Sequence, residues 1–438
     1  MSIFVKNIVQ ISELYEIYKN YPSVQTDTRK IKKDDLFFAL KGPNYNGNLF
    51  AQQALDLGAA YAIVDEPLTS NNNRIILMDN VLTTLQQLAK YHRDQLHIPI
   101  IAITGSNGKT TSKELIHAVL SSHFKTYTTQ GNLNNQIGLP LTVLGIKKED
   151  AEMAVLEMGA NHQKEIDRYC AYALPTYGVI TNCGKAHLEG FGGIEGVRKG
   201  KGELYDYLAK TDGTAFINAD LDYLLAMSTH IKNKIFYGES DGIVQGSIFA
   251  NEPFLQVKIT SGLSIDQINT QLVGDYNLPN VLCAAAIGKH FGVPDEKIKN
   301  AIEQYDPSNS RSQLIEQGSN RIILDAYNAN PSSMKAAIEN FASIKGDNKV
   351  LLLGAMMELG EESIAEHESL ITLIQQFPWQ TVVLVGGDFG NINHPYLYFE
   401  NAALAKEWYE AQNFSNTHFL VKGSRSFKME TVMEKHEA

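Results

Sequence analysis

Residues 99–123 read PIIAITGSNGKTTSKELIHAVLSSH. An apolar run ends at a glycine turn, and behind it Leu115, Ile116, Val119 and Leu120 fall on one face at helical spacing. The order is strand, glycine loop, helix. In the loop Thr104-Gly105-Ser106-Asn107-Gly108-Lys109-Thr110-Thr111, glycines let backbone N–H groups turn inward on phosphate oxygens, and the following helix offers its positive end. Lys109 is placed to neutralise β and γ phosphates and Thr110 to offer a hydroxyl to Mg²⁺, so ATP is the expected ligand. Ile103 stands where the first glycine of G-x-x-x-x-G-K-T belongs; the shorter T-G-x-x-G-K-T-T form fits.

Outward from this loop the chain reads as three α/β segments, with boundaries expected at 1–96, 97–308 and 309–438. The first carries the strand DLFFAL (35–40), a helix-like stretch at 48–59, the strand YAIVD (61–65), the polar run SNNNR (70–74) and a helix around 83–96. The second adds AVLEMG (154–159), GVITNCG (178–184) and AFINAD (215–220), short apolar strands that end in polar residues and alternate with helices, as in a largely parallel sheet. After Pro307 and Arg311 the pattern restarts with strands at 321–331, 349–356, 381–387 and 417–424, a small doubly wound domain. Ligands of such sheets gather at the carboxyl ends of the strands, where Asp325, Gly354, Gly386 and Lys422 fall.

Bulk composition narrows the classes. The 438 residues are 44% hydrophobic and 20% charged, which predicts a folded core. A net charge of -11 gives no basic field, so no nucleic-acid partner is expected. Cys170, Cys183 and Cys283 match no zinc or disulfide spacing and are read as reduced structural thiols. The N-terminus, broken by Lys6, Glu13, Glu16 and Lys19, does not read as a secretory signal, and no apolar run reaches the ~20 residues of a membrane span. A cytoplasmic enzyme, monomeric and without a membrane span, is expected.

Further residues have the chemistry that an ATP-activated carboxylate needs. Glu157 ends a strand, where a carboxylate can hold magnesium beside the loop; His187 follows GVITNCG; Lys199 and Lys201 lie in the glycine-rich run 187–205, where loop passes into helix. A lysine carbamate there would turn a repelling ammonium into a metal-holding anion. Asn134 and Asn135 in GNLNNQIGLPLT can orient an acyl oxygen without adding charge. Taken singly, each has a blander reading as strand cap, structural histidine, solvated charge or turn former.

The runs TGSNGKTT, GNLNNQIGLPLT, EMGANHQKEI, ITNCGKAHLEGFGGIEGVRKGKGEL, DAYNANPSSMKAA, ELG at 358–360 and KGSRSF at 422–427 stand in one order across all three segments. In that order the chain resembles the Mur ligases of peptidoglycan synthesis. The resemblance implies a small N-terminal α/β UDP-binding domain, a central P-loop ATPase-like parallel-sheet domain and a C-terminal Rossmann-like domain. Within the family, YNANPSSM implies a member that adds D-alanyl-D-alanine to UDP-N-acetylmuramoyl-tripeptide through an acyl phosphate. By position it implies phosphate contacts at Lys109 and Thr110, and magnesium at Thr110, Glu157, His187 and a carbamylated Lys201, with Lys199 the alternative register. It further implies ATP contacts at Asn277, Asn280, Arg311, Asp325 and Asn328, UDP contacts at Thr28, Arg29, Asn46 and Gly47, and peptide contacts at Asn330, Lys422 and Ser424.

Three positions depart from the family pattern. The usual Asp-Gly-His is Asn46-Gly47-Asn48, Ala355 follows Gly354 where an aspartate is usual, and Tyr276 replaces a histidine before Asn277. The competing readings are a sibling ligase adding one amino acid, a folylpolyglutamate synthetase-like ligase, for which the first segment would be superfluous, and a catalytically silent ATP-binding scaffold. Lys109, Glu157, His187 and Lys201, whose loss the silent reading requires, are all present.

Overall fold

The computed structural model describes residues 10–68, 72–307 and 311–434. The expected boundary at 308/309 and the start of the N-terminal run lie outside the described residues. The chain forms two compact units, one of residues up to Ala102 with Lys125–Gly159 and Glu165–Tyr177, the other of Ile103–Phe124, Ala160–Lys164 and everything from Gly178.

In the first unit, Val24–Gln25, Leu36–Phe38, Tyr61–Val64 and Ile75–Leu77 form a four-stranded sheet in that order, every pair parallel. Phe37, Ala39 and Val64 meet Ala51, Ala54 and Leu55 of the helix Ala51–Asp56 in one core. Asn80 starts the next helix, Val81–Asp94, by accepting the Thr83 N–H at 2.8 Å. Val81, Leu85, Leu88, Ala89 and His92 make its buried stripe. This helix packs on the helices Gly138–Leu144 and Glu165–Ala173. Its end explains why: the Arg93 guanidinium donates to the carbonyls of Leu96 at 2.5 Å and Ala173 and Leu174 at 3.2 Å, and His92 is bonded to Tyr15 at 3.1 Å and the Ile146 carbonyl at 2.7 Å. Met153–Glu157 and Thr126–Thr128 run side by side here and are parallel.

In the second unit the expected helix runs from Lys109 to Ser121, and Leu115, Ile116, Val119 and Leu120 are all fully buried. It packs on the apolar helix Leu278–His290. Thr214–Asn218 sits between Tyr177–Ile180 and Asn233–Tyr237. An antiparallel sheet of Gln245–Ala250, Gln256–Ser261 and Gln267–Asn269 departs from the parallel pattern read from sequence. The last sheet runs Gln313–Gln317, Asn320–Asp325, His418–Lys422, Lys349–Gly354, Thr381–Val385, Leu397–Phe399; its first pair is antiparallel and the rest parallel. Lys349–Gly354 is buried throughout, as a central parallel strand should be. The register sets Asp325 directly beside Lys422. All three cysteines are buried and unbridged.

Candidate active site

The phosphate loop is shaped by its two glycines. Gly105 (φ 147°) and Gly108 (φ 76°) have left-handed backbones; a Cβ on Gly105 would run into the Thr181 hydroxyl, and one on Gly108 would stand 2.6 Å from Asn280 Oδ1. The helix begins at Lys109 with no side-chain cap, so its first N–H groups are directed to the loop. Lys109 Nζ lies over the turn, donating to the carbonyls of Gly105 at 2.6 Å and Ser106 at 3.1 Å.

Residues beyond the motif hold the loop. Ser106 N–H donates to Asn182 O at 2.9 Å, Asn107 N–H to Asn182 Oδ1 at 3.0 Å, and Ser106 Oγ to Gly184 O at 2.9 Å. Thr181 Oγ1 donates to Asn107 O at 2.6 Å. The third segment reaches the loop as well, for Asn330 Nδ2 donates to Asn107 Oδ1 at 2.7 Å. Asn330 Oδ1 at the same time accepts the Ser333 N–H at 2.9 Å and caps the helix Pro331–Ser343. Close by, Ser332 Oγ accepts the Lys185 N–H at 2.9 Å, and Lys185 pairs with Glu366. A cavity of about 460 Å³ opens among Gly184, Lys185, Ser332, Lys335 and Glu366. Thr181, Asn182, Ser332 and Glu366 were not read from the sequence; their one signal was position at a strand end or in a helical turn beside a motif.

The residues expected around magnesium are distributed as follows. In the first unit the buried Glu157 carboxylate accepts Asn134 Nδ2 at 2.7 Å, while Asn135 Oδ1 accepts the N–H groups of Ile137 at 3.1 Å and Gly138 at 2.9 Å, the turn-forming role. In the second, His187 (φ 52°) faces Glu358 (φ 65°), with Nδ1 2.5 Å from Oε2 but not aligned as a hydrogen bond. That imidazole holds the Glu358 carboxyl below the usual carboxylate range. Lys201, on the helix Ile194–Lys210, is 1% exposed; its Nζ donates to Ala160 O at 3.1 Å and lies 5.0 Å from the Phe191 ring. Lys199 is exposed, so the two registers differ in kind. Among the described residues no three His, Cys, Asp or Glu side chains converge as a preformed cage. By chemical type alone, the Thr110 hydroxyl and the Glu157 carboxylate are oxygen donors of the kind magnesium takes.

The nucleotide and peptide candidates of the second unit are each held by neighbours. Asn280 Oδ1 accepts Ser112 Oγ at 2.9 Å and its Nδ2 donates to Asn277 Oδ1 at 2.9 Å, bracing the turn at Gly108. Tyr276, where a histidine was usual, bonds Ser312 at 3.1 Å, and burial pushes its phenol up. Lys422 is almost fully buried, with Nζ 2.5 Å from Asp325 Oδ2 and 3.2 Å from Asn328 O. Ser424 Oγ accepts the Met357 N–H at 3.0 Å and donates to Ala329 O at 3.3 Å. Arg311 lies over the Tyr327 ring, 3.7 Å from its centroid.

In the first unit Thr28 and Arg29 lie on a short turn capped by Asp27, whose carboxyl the Arg29 guanidinium lowers to about 2. Asn46 accepts the Asn48 N–H at 3.0 Å, Gly47 fits under the Leu40 carbonyl, and the buried Asn48 accepts the Asp65 N–H at 2.9 Å. The Asn48 replacement thus braces the strand-end loop.

A strand, a glycine loop and a helix, with a second α/β sheet bonded to the loop through Asn330, define a P-loop nucleotide-dependent enzyme of several α/β segments. Residues 20–93 match the Mur ligase family catalytic domain, 103–288 the Mur ligase middle domain and 310–423 the Mur ligase glutamate ligase domain. The chain belongs to the Mur ligase family. It is 38% identical over 353 residues to the UDP-N-acetylmuramoyl-tripeptide--D-alanyl-D-alanine ligase of Bacillus subtilis, covering 79% of this chain and 76% of the relative. The Haemophilus influenzae ligase of the same name is 32% identical over 94% of this chain and 92% of its own. The crystal structure of MurF from Acinetobacter baumannii superposes with a TM-score of 0.85 at 31% identity, covering 94% of this chain and 92% of that one. MurF from Thermotoga maritima in complex with ADP gives 0.84 at 26% identity, covering 94% and 96%.

Proposed function

We infer that this chain is an ATP-dependent ligase that joins a carboxylate of UDP-N-acetylmuramoyl-tripeptide to the amine of D-alanyl-D-alanine, releasing ADP and phosphate, in peptidoglycan precursor synthesis. The observation that carries this reading is the bond from Asn330, in the run YNANPSSM, to Asn107 in the phosphate loop, which ties the third segment to the site of phosphoryl transfer. The relatives of that name support the choice of acceptor.

A carboxylate oxygen attacks the γ phosphorus and the bond to ADP breaks, giving an acyl phosphate. The amine then attacks the acyl carbon, phosphate leaves with that oxygen, and the nitrogen loses a proton. The backbone N–H groups from Thr104 to Thr111 hold the phosphates, and Lys109 leaves its loop carbonyls to neutralise the charge that moves to ADP. Asn134, held by Glu157, and Asn135, through its amide N–H, orient the acyl oxygen. Mg²⁺ would neutralise phosphate charge, with Thr110, Glu157, His187 and Lys201, the last as its carbamate, as the residues to hold it. A buried amine fits carbamate formation better than the exposed Lys199, because the reacting form is neutral.

Asn277 and Asn280 support the nucleotide side through the Gly108 turn, with Arg311, Asp325 and Asn328 from the third segment. Thr28, Arg29, Asn46 and Gly47 serve the UDP moiety. Asn330 and Ser424 serve the peptide, and Lys422 acts by fixing Asp325. Segments 1–96, 97–308 and 309–438 are the UDP-substrate, ATP and Rossmann-like domains of a cytoplasmic monomer; among the described residues no helix is long and apolar enough to cross a membrane. The test is ADP release with UDP-N-acetylmuramoyl-tripeptide and a panel of acceptors. D-alanyl-D-alanine should be preferred over D-alanine and glutamate; equal use of a single amino acid would refute the reading.

A further inference from the structure

The cavity of about 460 Å³ beside the phosphate loop is large enough to take a small-molecule group. It opens next to the loop, since Gly184, on its lining, accepts Ser106 Oγ at 2.9 Å. Ile194 and Leu370 give it apolar wall suited to methylene groups. Among the described residues three charged side chains line it, Lys185, Lys335 and Glu366. The Glu366 side chain is only 10% exposed and is paired with Lys185. Lys335 is exposed, and its ion pair with Glu339, one turn along the same helix, is stretched to 3.8 Å, a contact of little strength. Ser369 and Thr372 donate their hydroxyls to the carbonyls of Ala365 at 2.8 Å and Glu368 at 3.0 Å in their own helix, so each has an oxygen acceptor left to offer a guest.

Adding a dipeptide to a tripeptide makes a pentapeptide, so the carboxylate that is activated belongs to the third residue. That carboxylate has to meet the transferred phosphoryl group at the loop, and the same α-carbon carries the third side chain, which therefore starts near the place where the cavity opens. A side chain ending in an ammonium alone would meet Glu366 but also two lysines, one attraction against two repulsions. A side chain ending in an ammonium and a carboxylate satisfies the whole set, the ammonium on Glu366 and the hydroxyl oxygens, the carboxylate on Lys335. We propose that this cavity receives the side chain of the third residue of the tripeptide, and that Lys335 and Glu366 select one ending in both an ammonium and a carboxylate over one ending in an ammonium alone. This rests on the ligase reading above and names the substrate class of its site.

The test compares two UDP-N-acetylmuramoyl-tripeptides, each with ATP and D-alanyl-D-alanine. One has meso-diaminopimelate as its third residue, with both groups at the end of the side chain; the other has lysine, with the ammonium alone. Wild type should favour diaminopimelate about tenfold in kcat/KM, through KM for the tripeptide, the size of one charge-assisted hydrogen bond at a partly exposed site. Lys335→Gln should bring that ratio toward one and Lys335→Glu should invert it, with KM for ATP and for D-alanyl-D-alanine unchanged. Glu366→Gln should raise KM for both tripeptides and leave the ratio as it is. Equal use of the two by wild type, a ratio indifferent to both Lys335 substitutions, or an unchanged tripeptide KM in Glu366→Gln overturns this assignment and leaves the ligase reading standing. Failure of wild type to extend either tripeptide overturns both.

Discussion

Replacing Asn330 by serine separates two jobs that one side chain does at once. Its Oδ1 caps the helix Pro331–Ser343 through Ser333 N–H at 2.9 Å, and its Nδ2 holds Asn107 Oδ1 at 2.7 Å. Serine keeps an oxygen at the cap but is too short to reach the loop. A lost N-cap costs about 1 kcal/mol, and a lost neutral hydrogen bond costs about 1 kcal/mol. Asn330→Ala should therefore lose about 2 kcal/mol of stability and Asn330→Ser about 1 kcal/mol, read from urea unfolding. If the loop contact is as strong in the transition state, both variants lose about fivefold in kcat/KM, since 1.36 kcal/mol is tenfold. Asn107→Ala should match them, and Asn107→Ala combined with Asn330→Ser should be no worse than either single change. Full activity in Asn330→Ser, or losses that simply add in the double variant, would refute the coupling.

Three other outcomes are expected. Lys109→Ala, which removes the ammonium now bonded to the Gly105 and Ser106 carbonyls, should cut turnover by at least about 100-fold with an unchanged circular dichroism spectrum; near-normal ADP release would defeat the assignment. Lys201→Ala should lose activity that bicarbonate does not restore and a short carboxylic acid does in part, and an active alanine variant would eliminate the carbamate. Stability should fall on the acid side. Burial lowers the pKa of His367, and its Nε2 accepts the Met356 N–H at 3.0 Å, which only the neutral ring can do; burial lowers His92 too. Protons then bind more readily to the unfolded chain, so this contribution is complete above about pH 6.5 and lost as pH drops through the folded values. Urea midpoints equal at pH 7.5 and 5.5 would contradict it.

The local part of this architecture was legible because its signals are local. The glycine loop and the face formed by Leu115, Ile116, Val119 and Leu120 follow from spacing within one strand-turn-helix, and those four side chains are fully buried. The antiparallel sheet at 245–269 was not, since QGSIFA, QVKITS and QIN mix polar and apolar residues and its first pair has two register shifts. The pairing of Lys422 with Asp325 depends on the register of two strands 97 residues apart, and nothing within KGSRSF announces it. The true exposed cation of that run is Arg425. Asn330 was read as a substrate residue, while its partner Asn107 lies 223 residues away and carries no signal of the contact. Lys199 and Lys201 differ only in which side of one helix each occupies, and burial separates them.

The chain spends ATP to activate a carboxylate and then makes an amide, and one labelling measurement tests both halves. UDP-N-acetylmuramoyl-tripeptide with ¹⁸O in the reacting carboxyl group is incubated with ATP and D-alanyl-D-alanine, and the nucleotide product and the phosphate are weighed by mass spectrometry. An acyl phosphate requires the labelled oxygen that attacked phosphorus to depart with it, so each pentapeptide formed should be matched by one ADP and one phosphate bearing a single ¹⁸O. Phosphate without label, or ADP released with no amide product, would contradict the account.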